Sequence, residues 1–254
     1  MVLLALAAAL RIVSLIPSLT EDLFALGVGA SVVGVSEFSD YPPAARALPR
    51  VGSFAAIDAE RIIRLHPSLI VGIPAQAPLV APLVRAGLRV RLLADDRYDD
   101  IFADLVGLGQ MVGREAEARS AVTRLRARTA SLTAGVDRAR RPSAFVVLGV
   151  APLYTVGARS YIAALIRMAG GRNAALIDTA YSRYSAEALL RAQPDVILAD
   201  PASGLRGVIE REPWRSLVAV RRGRVAYVDA ELMRPGPRYN DGLSRLIEIF
   251  RGIE

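Results

Sequence analysis

The sequence contains no cysteine and no lysine, one histidine, one tryptophan and only 6% aromatic residues. Without cysteine there is no disulfide, no thiolate nucleophile, no iron–sulfur cluster and no cysteine-ligated zinc. Without lysine no G-x-x-x-x-G-K-[ST] loop can form, which removes the P-loop nucleotide site. The sole histidine, His66, stands in Leu65-His66-Pro67 between an expected helix and an expected strand. A multi-histidine metal centre is therefore excluded, and a Ser-His-Asp mechanism would rest on one residue without partners nearby in sequence. Long apolar runs are missing as well: the apolar start Met1–Leu10 falls well short of the ~20 residues that cross a bilayer.

What is present is a globular composition. Over 254 residues, 53% hydrophobic content is too apolar for a disordered chain and is enough for one large domain or two small ones. The formal charge of +7 would suit a nucleic-acid partner. Yet all 32 basic residues are arginine and they are scattered. The densest runs, Arg138-Ala139-Arg140-Arg141 and Arg221-Arg222-Gly223-Arg224, fall at element junctions without interleaved aromatics for base stacking. Each reads as a solvated face, and no nucleic-acid partner is expected. Met1–Leu10 reads either as the hydrophobic part of a secretory signal, with Ala7-Ala8-Ala9 as the cleavage site but no charged residues before it, or as an extension of the first strand.

Short apolar runs alternate with helical stretches, the pattern of α/β architecture with parallel sheets. Strands are expected at Arg11–Leu15, Val32–Val35, Leu69–Gly72 and Val90–Leu93, with helices from Thr20 to Leu26, Asp58 to Leu65 and around Leu79–Ala86. From Glu115 to Arg138 there is no proline, and no glycine before Gly135. Ala118, Val122, Leu125, Thr129, Leu132 and Val136 make one narrow stripe at spacings of four and three. This reads as a single helix about 36 Å long, enough to join two lobes. After Pro142 the alternation resumes with strands Ala144–Gly149, Val196–Ala199 and Arg224–Asp229 and helices Ser160–Ala169 and Asn240–Arg251. The expected organisation is a signal remnant (1–10), an N-terminal lobe (11–113), a linking helix (114–140) and a C-terminal lobe (141–254).

An internal echo supports two similar lobes. Asp58-Ala59-Glu60-Arg61-Ile62-Ile63-Arg64-Leu65-His66-Pro67-Ser68-Leu69-Ile70-Val71 reappears as Ser185-Ala186-Glu187-Ala188-Leu189-Leu190-Arg191-Ala192-Gln193-Pro194-Asp195-Val196-Ile197-Leu198. In each copy Asp58 or Ser185 can cap a short helix, Glu60 or Glu187 lies in its first turn, and Pro67 or Pro194 stops it before a buried strand.

Other motifs carry less. Gly27-Val28-Gly29 follows a helix and precedes a strand, the reverse of a dinucleotide fingerprint. The pairs Asp95-Asp96 and Asp99-Asp100 read as caps of the helix that follows, and no metal site is expected. Phe38, Tyr41 and Phe54 in the first half, and Tyr154, Tyr181 and Tyr184 in the second, fall in loop-like segments, where parallel sheets hold their ligands. Such rings suit a flat, broad ligand, although any one of them can instead close a minor core under a loop.

The chain resembles the single-helix-linked class of periplasmic solute-binding proteins, which serve ABC importers and include the vitamin B12, haem and ferric-siderophore carriers. The likeness rests on Arg11-Ile12-Val13-Ser14-Leu15-Ile16-Pro17-Ser18-Leu19-Thr20-Glu21, Val33-Gly34-Val35-Ser36-Glu37-Phe38-Ser39-Asp40-Tyr41-Pro42-Pro43, Val51-Gly52-Ser53-Phe54 and both glutamate-bearing repeats. It spans nearly all of residues 11–250. The resemblance implies two Rossmann-like lobes with parallel central sheets joined by one long helix, and a ligand in the cleft between them. Ser39-Asp40-Tyr41-Pro42-Pro43 looks most like the cobalamin branch, in which Phe38 and Phe54 take the places of a Tyr and a Trp set against the corrin. By the same likeness Tyr41, Tyr154, Tyr181 and Arg234 are expected ligand contacts, and Glu60 and Glu187 are expected to dock onto arginine pockets of a two-fold importer permease in the membrane. The function expected is carriage of a corrinoid by an extracytoplasmic monomer. The alternatives are a haem or ferric-siderophore carrier, for which Tyr181 could serve as an axial ligand, and an α/β enzyme. The last has no clustered acid, base or nucleophile to support it, so no catalytic residue and no catalytic cofactor is expected.

Overall fold

A computed structural model of the chain describes residues 10–253, the side chains of Ala230 and Glu231 excepted. The expected signal remnant thus lies, but for Leu10, outside the described residues. The chain divides into two compact units, Met1–Asp95 with Phe102–Val122, and Asp96–Ile101 with Thr123–Glu254. Among the described residues no helix is long and apolar enough to cross a membrane.

The first unit runs β1 (Ile12–Ser14), α1 (Pro17–Ala25), β2 (Val32–Val35), α2 (Ala59–Arg64), β3 (Leu69–Gly72), α3 (Ala77–Arg85) and β4 (Val90–Leu92). The strands form one parallel sheet in the order β2-β1-β3-β4. Every residue of β1 and β3 is buried, which is why these strands read as unbroken apolar runs and not as alternating ones. Val13, Leu15, Val51, Ile62, Ile70, Val80 and Leu83 form a core on the sheet. Helix α1 begins earlier than Thr20: Pro17 takes the first helical position, where its missing N–H costs nothing. Residues Ser18 to Leu23 are all buried, Glu21 and Asp22 among them.

Two helices follow, α4 (Asp100–Val112) and α5 (Glu115–Thr133). Helix α5 carries the expected stripe, with Ala118 buried and Val122, Leu125, Thr129 and Leu132 half-buried. It ends at Thr133 rather than Arg138, giving 19 residues and about 28 Å. The reason is local: Gly135 is a poor helix former, and the Asp137 carboxylate accepts a bond from Ala139 N at 2.8 Å in a turn that competes with the helix. Its residues up to Val122 belong to the first unit and the remainder to the second.

The second unit contains β5 (Ser143–Val147), β6 (Gly149–Val150), β7 (Leu153–Val156), α6 (Tyr161–Met168), β8 (Arg172–Asn173), β9 (Tyr181–Arg183), α7 (Ala186–Ala192), β10 (Val196–Ala199), α8 (Val218–Arg221), β11 (Val225–Tyr227), α9 (Ala230–Met233) and α10 (Tyr239–Arg251). Its parallel sheet has the order β11-β10-β5-β8. Phe145, Val147, Leu189, Ile197, Leu205, Trp214 and Leu217 pack in its core. A small antiparallel sheet, β6-β7-β9, is added to this frame.

The echo in the sequence is an echo in structure. Asp58 Oδ1 accepts from Arg61 N at 2.8 Å, and Ser185 Oγ accepts from Ala188 N at 3.0 Å, so each side chain caps its helix. Ile62 and Leu189 are the buried residues of the two helices. Both copies then turn through a non-glycine residue in the left-handed region, His66 at φ 46° and Gln193 at φ 37°, directly before Pro67 and Pro194. That conformation costs about 1–2 kcal/mol at each site. Both units accept it at the same step, just before a wholly buried strand.

Candidate functional site

In a parallel sheet, ligands are held by the loops beyond the C-terminal ends of the strands. In the first unit those loops carry Phe38, Tyr41 and Phe54, which are 63%, 43% and 54% exposed. Beneath the Phe38 loop lies a chain of buried hydroxyls. Thr20 Oγ1 donates to Ser14 Oγ at 2.9 Å and lies 3.0 Å from Ser39 Oγ, which is 2.8 Å from Ser36 Oγ. Arg50 Nη1 donates to Ser36 O and Ser39 O at 3.1 and 2.8 Å. Glu37 N donates to Gly52 O at 2.8 Å, which ties the Phe38 loop to the turn bearing Phe54. That turn is closed by Ser53 N donating to Ala56 O at 2.7 Å. It depends on Gly52, at φ +119°, where a Cβ would stand 2.3 Å from Ala56 O. The loop positions are therefore fixed although the rings stand in water.

The same helix α1 hides an unusual group. Asp22 is buried with neither carboxylate oxygen hydrogen-bonded, and Ser18 Oγ, one turn earlier, is also without a partner. Burial, and then the charges of Asp104 and Glu21, push the Asp22 carboxyl well above the usual carboxylate range.

In the second unit Tyr154 and Tyr181 are not loop residues, as the sequence implied, but strand residues of β7 and β9. The register pairs Tyr154 with Arg183 and Val156 with Tyr181, so the two tyrosines are diagonal neighbours on one face of the small sheet. Tyr154 is 38% exposed and Tyr181 half-buried. Tyr184 packs inward against Phe145, with ring centroids 5.2 Å apart, and is a core residue. Arg234 follows α9 and is half-buried. Sequence reading passed over Leu176, the most exposed large apolar residue described, at 88%. Its loop is held at both ends: Asn173 Nδ2 donates to Val156 O at 2.9 Å, and Arg159 pairs with Asp178 through bonds of 2.8 and 2.5 Å. The stretch Ala174-Ala175-Leu176-Ile177-Asp178 is mostly apolar, so nothing in the sequence marked Leu176 as the exposed member.

Glu60 and Glu187 occupy matched places on α2 and α7, and both are exposed. Glu60 reaches Arg64 at 3.6 Å. Glu187 is held below the usual carboxylate range by bonds from its own backbone N–H and from Ser185. His66 is exposed and precedes β3, at the N-terminal edge of the sheet and away from the aromatic loops.

Comparison with known proteins decides the family. A family model described as periplasmic binding protein matches residues 12–232. The chain belongs to this family. Periplasmic binding proteins are solute carriers of ABC importers, and the two-unit α/β frame with parallel sheets is theirs. An uncharacterized ABC transporter substrate-binding lipoprotein of Bacillus subtilis, YvrC, is 28% identical over 94% of this chain and 79% of its own length. A vitamin B12-binding protein of Photorhabdus laumondii is 33% identical over 76% of this chain and 71% of its own. Among solved structures, the periplasmic heme-binding protein RhuT of Roseiflexus in its apo form superposes with a TM-score of 0.85 at 27% identity, covering 95% of this chain and 98% of that one.

Proposed function

We propose that this periplasmic binding protein carries a corrinoid, held by Phe38, Tyr41 and Phe54 of the first unit and Tyr154, Tyr181 and Arg234 of the second. The observation that carries the reading is the exposure of aromatic rings on fixed supports. Of the seven exposed large apolar residues described, four are Phe38, Tyr41, Phe54 and Tyr154. A folded protein gains nothing from rigidly presenting four such rings to water unless they meet a broad apolar partner. The 33% identity to a vitamin B12-binding protein supports the choice of a corrin. A haem reading draws on the similarity to RhuT, with Tyr181 as the axial oxygen donor. A ferric siderophore is the remaining ligand of this kind. The protein acts outside the cytoplasm as a monomer and delivers its ligand to a permease dimer, onto which Glu60 and Glu187 dock.

Cyanocobalamin and haemin, each mixed with the protein and passed through a desalting column, distinguish the ligands. The corrin spectrum is expected to elute with the protein and to be lost in the Phe38→Ala/Phe54→Ala double variant. Retention of haemin with a tyrosine–iron spectrum, and no retention of cobalamin, would overturn the corrinoid assignment. Replacing Glu60 and Glu187 together by Ala is expected to abolish uptake while leaving ligand retention intact.

A further inference from the structure

Beside the two tyrosines assigned to the ligand in the second unit stands an arginine without a partner. In the small sheet Tyr154 faces Arg183, and Val156 faces Tyr181. Facing residues of an antiparallel pair, and residues two apart on one strand, project to the same side. Tyr154, Arg183 and Tyr181 therefore share one face, with Arg183 across from the first ring and two residues along from the second. Tyr184 N donates to Leu153 O at 3.0 Å, and Gly157 N donates to Ala180 O at 2.8 Å. These bonds make Tyr154–Arg183 a non-hydrogen-bonded pair, the kind in which facing side chains lie closest. Tyr154 also pairs with Gly149, which lies past the end of β5, so the three side chains stand toward the edge from which parallel sheets hold their ligands.

Arg183 is exposed and makes no hydrogen bond, ion pair or ring contact through its side chain among the described residues. The carboxylates nearest to it along the chain are engaged elsewhere. Asp178 pairs with Arg159. Glu187 is held by its own backbone N–H and by Ser185, with Arg191 contributing. The ladder thus fixes where the Arg183 charge stands and supplies no counter-ion for it.

A flat ligand laid on Tyr154 and Tyr181 covers Arg183 as well, and covering a guanidinium without a partner is costly. A ligand that brings an anion to that place forms a charge-assisted bond instead, strengthened because ligand and rings exclude water. A ligand without the anion is disfavoured by the same cost. We propose that Arg183 is a specificity-determining residue of the ligand site, its guanidinium gripping an anionic group at the rim of the bound ring system. The inference rests on the assignment of Tyr154 and Tyr181 to a flat macrocyclic ligand. The phosphodiester of a corrinoid and the propionate carboxylates of a haem both offer the paired oxygens that a guanidinium fork matches.

The test is equilibrium binding to the full chain, read from quenching of its fluorescence, with the folding of each variant checked by circular dichroism. Each ligand is paired with a counterpart that lacks the anion, cyanocobalamin with dicyanocobinamide and haemin with its dimethyl ester. Arg183→Ala is expected to weaken the anionic member of the bound pair about tenfold and its counterpart hardly at all. Arg183→Lys, which keeps the charge but not the fork, should recover part of the loss. The control Arg222→Ala removes the same charge from an exposed position just before β11, at the opposite edge of the sheet, and should bind as the parent does. Loss confined to cyanocobalamin makes the phosphodiester the partner. Loss confined to haemin makes it a propionate, which overturns the corrinoid reading and leaves the role of Arg183 standing. Equal weakening of both members of a pair would mean contact with a neutral group, and unchanged affinity would mean that the guanidinium swings aside into water. Either result would overturn the proposal and leave the ligand reading intact, whereas failure of the parent to bind any of the four compounds would overturn both.

Discussion

The two units share a repeat but present their aromatic rings by different means. The first fixes Phe38 through particular side chains, Ser14, Thr20, Ser36, Ser39 and Arg50, under a loop that lacks regular structure, and ties the Phe54 turn to that loop by a single backbone bond from Glu37 N to Gly52 O. The second fixes Tyr154 and Tyr181 through a backbone ladder, β6-β7-β9, joined to the main sheet by Thr155 Oγ1 donating to Val146 O at 2.6 Å. A ladder uses groups that every residue has, whereas a hydroxyl chain depends on the identity of each member. Substitutions should therefore disturb presentation in the first unit more than in the second.

The largest effect is expected at Gly52. Gly52→Ala meets both the positive φ and the Ala56 carbonyl, and should cost upward of about 3 kcal/mol in urea denaturation, with loss of ligand retention. Its foil in the second unit, Gly207→Ala, has nothing within 4 Å and no positive φ, and should change stability by less than about 0.5 kcal/mol. Equal costs would break the comparison.

Asp22→Asn should act in the opposite direction. Because the folded-state pKa of Asp22 lies above its unfolded value near 3.9, the unfolded chain releases the proton first. The contribution of the protonated group is complete below about pH 4 and is lost as pH rises toward the folded pKa. The neutral isostere should therefore stabilise the protein by about 2 kcal/mol at pH 7 and much less at pH 4, read from denaturation at the two pH values. A gain independent of pH would refute the assignment.

Removing single hydroxyls sharpens the contrast between chain and ladder. Thr20→Val leaves two buried partners, Ser14 and Ser39, short of a bond and should cost about 2 kcal/mol, whereas Thr155→Val should cost about 1 kcal/mol. The smallest effect separates the matched glutamates. With its pKa lowered in the folded state, Glu187 contributes above its unfolded pKa and ceases to as pH falls. Glu187→Ala should therefore lower Tm slightly at pH 7 and not at pH 3. Glu60→Ala, which gives up only a 3.6 Å contact with Arg64, should leave Tm unchanged at both.

Much of this frame was legible in the residues. Buried parallel strands such as Leu69–Gly72 and Val196–Ala199 are apolar throughout, and the caps Asp58 and Ser185 mark their helices without tertiary context. The small antiparallel sheet was not legible, because strands of two to four residues are too short to show a period and their pairing is long-range. Nor was the burial of Asp22, since Thr20-Glu21-Asp22 reads as a polar helix start and only packing encloses it. Of the candidate site, loop aromatics such as Phe38 and Phe54 were visible as rings among turn residues, while the strand setting of Tyr154 and Tyr181 was hidden.

The left-handed residues His66 and Gln193 bear on whether the repeats can be exchanged as cassettes. Since both copies bend at the same step, a graft of residues 185–198 into positions 58–71, which leaves Gly72 in place, keeps the path of the backbone and the cap at its start. The reverse graft is not equivalent. Gln193 also accepts, through Oε1, a bond from Val218 N at 3.0 Å, and so secures the start of α8. A histidine in that place offers only a ring nitrogen as acceptor, on a rigid ring with fewer rotamers to reach Val218 N. The two modules are thus alike as scaffolds but not equivalent as transplants, since each has one neighbour-specific position, Gly72 beside Gln76 in the first and Gln193 beside Val218 in the second.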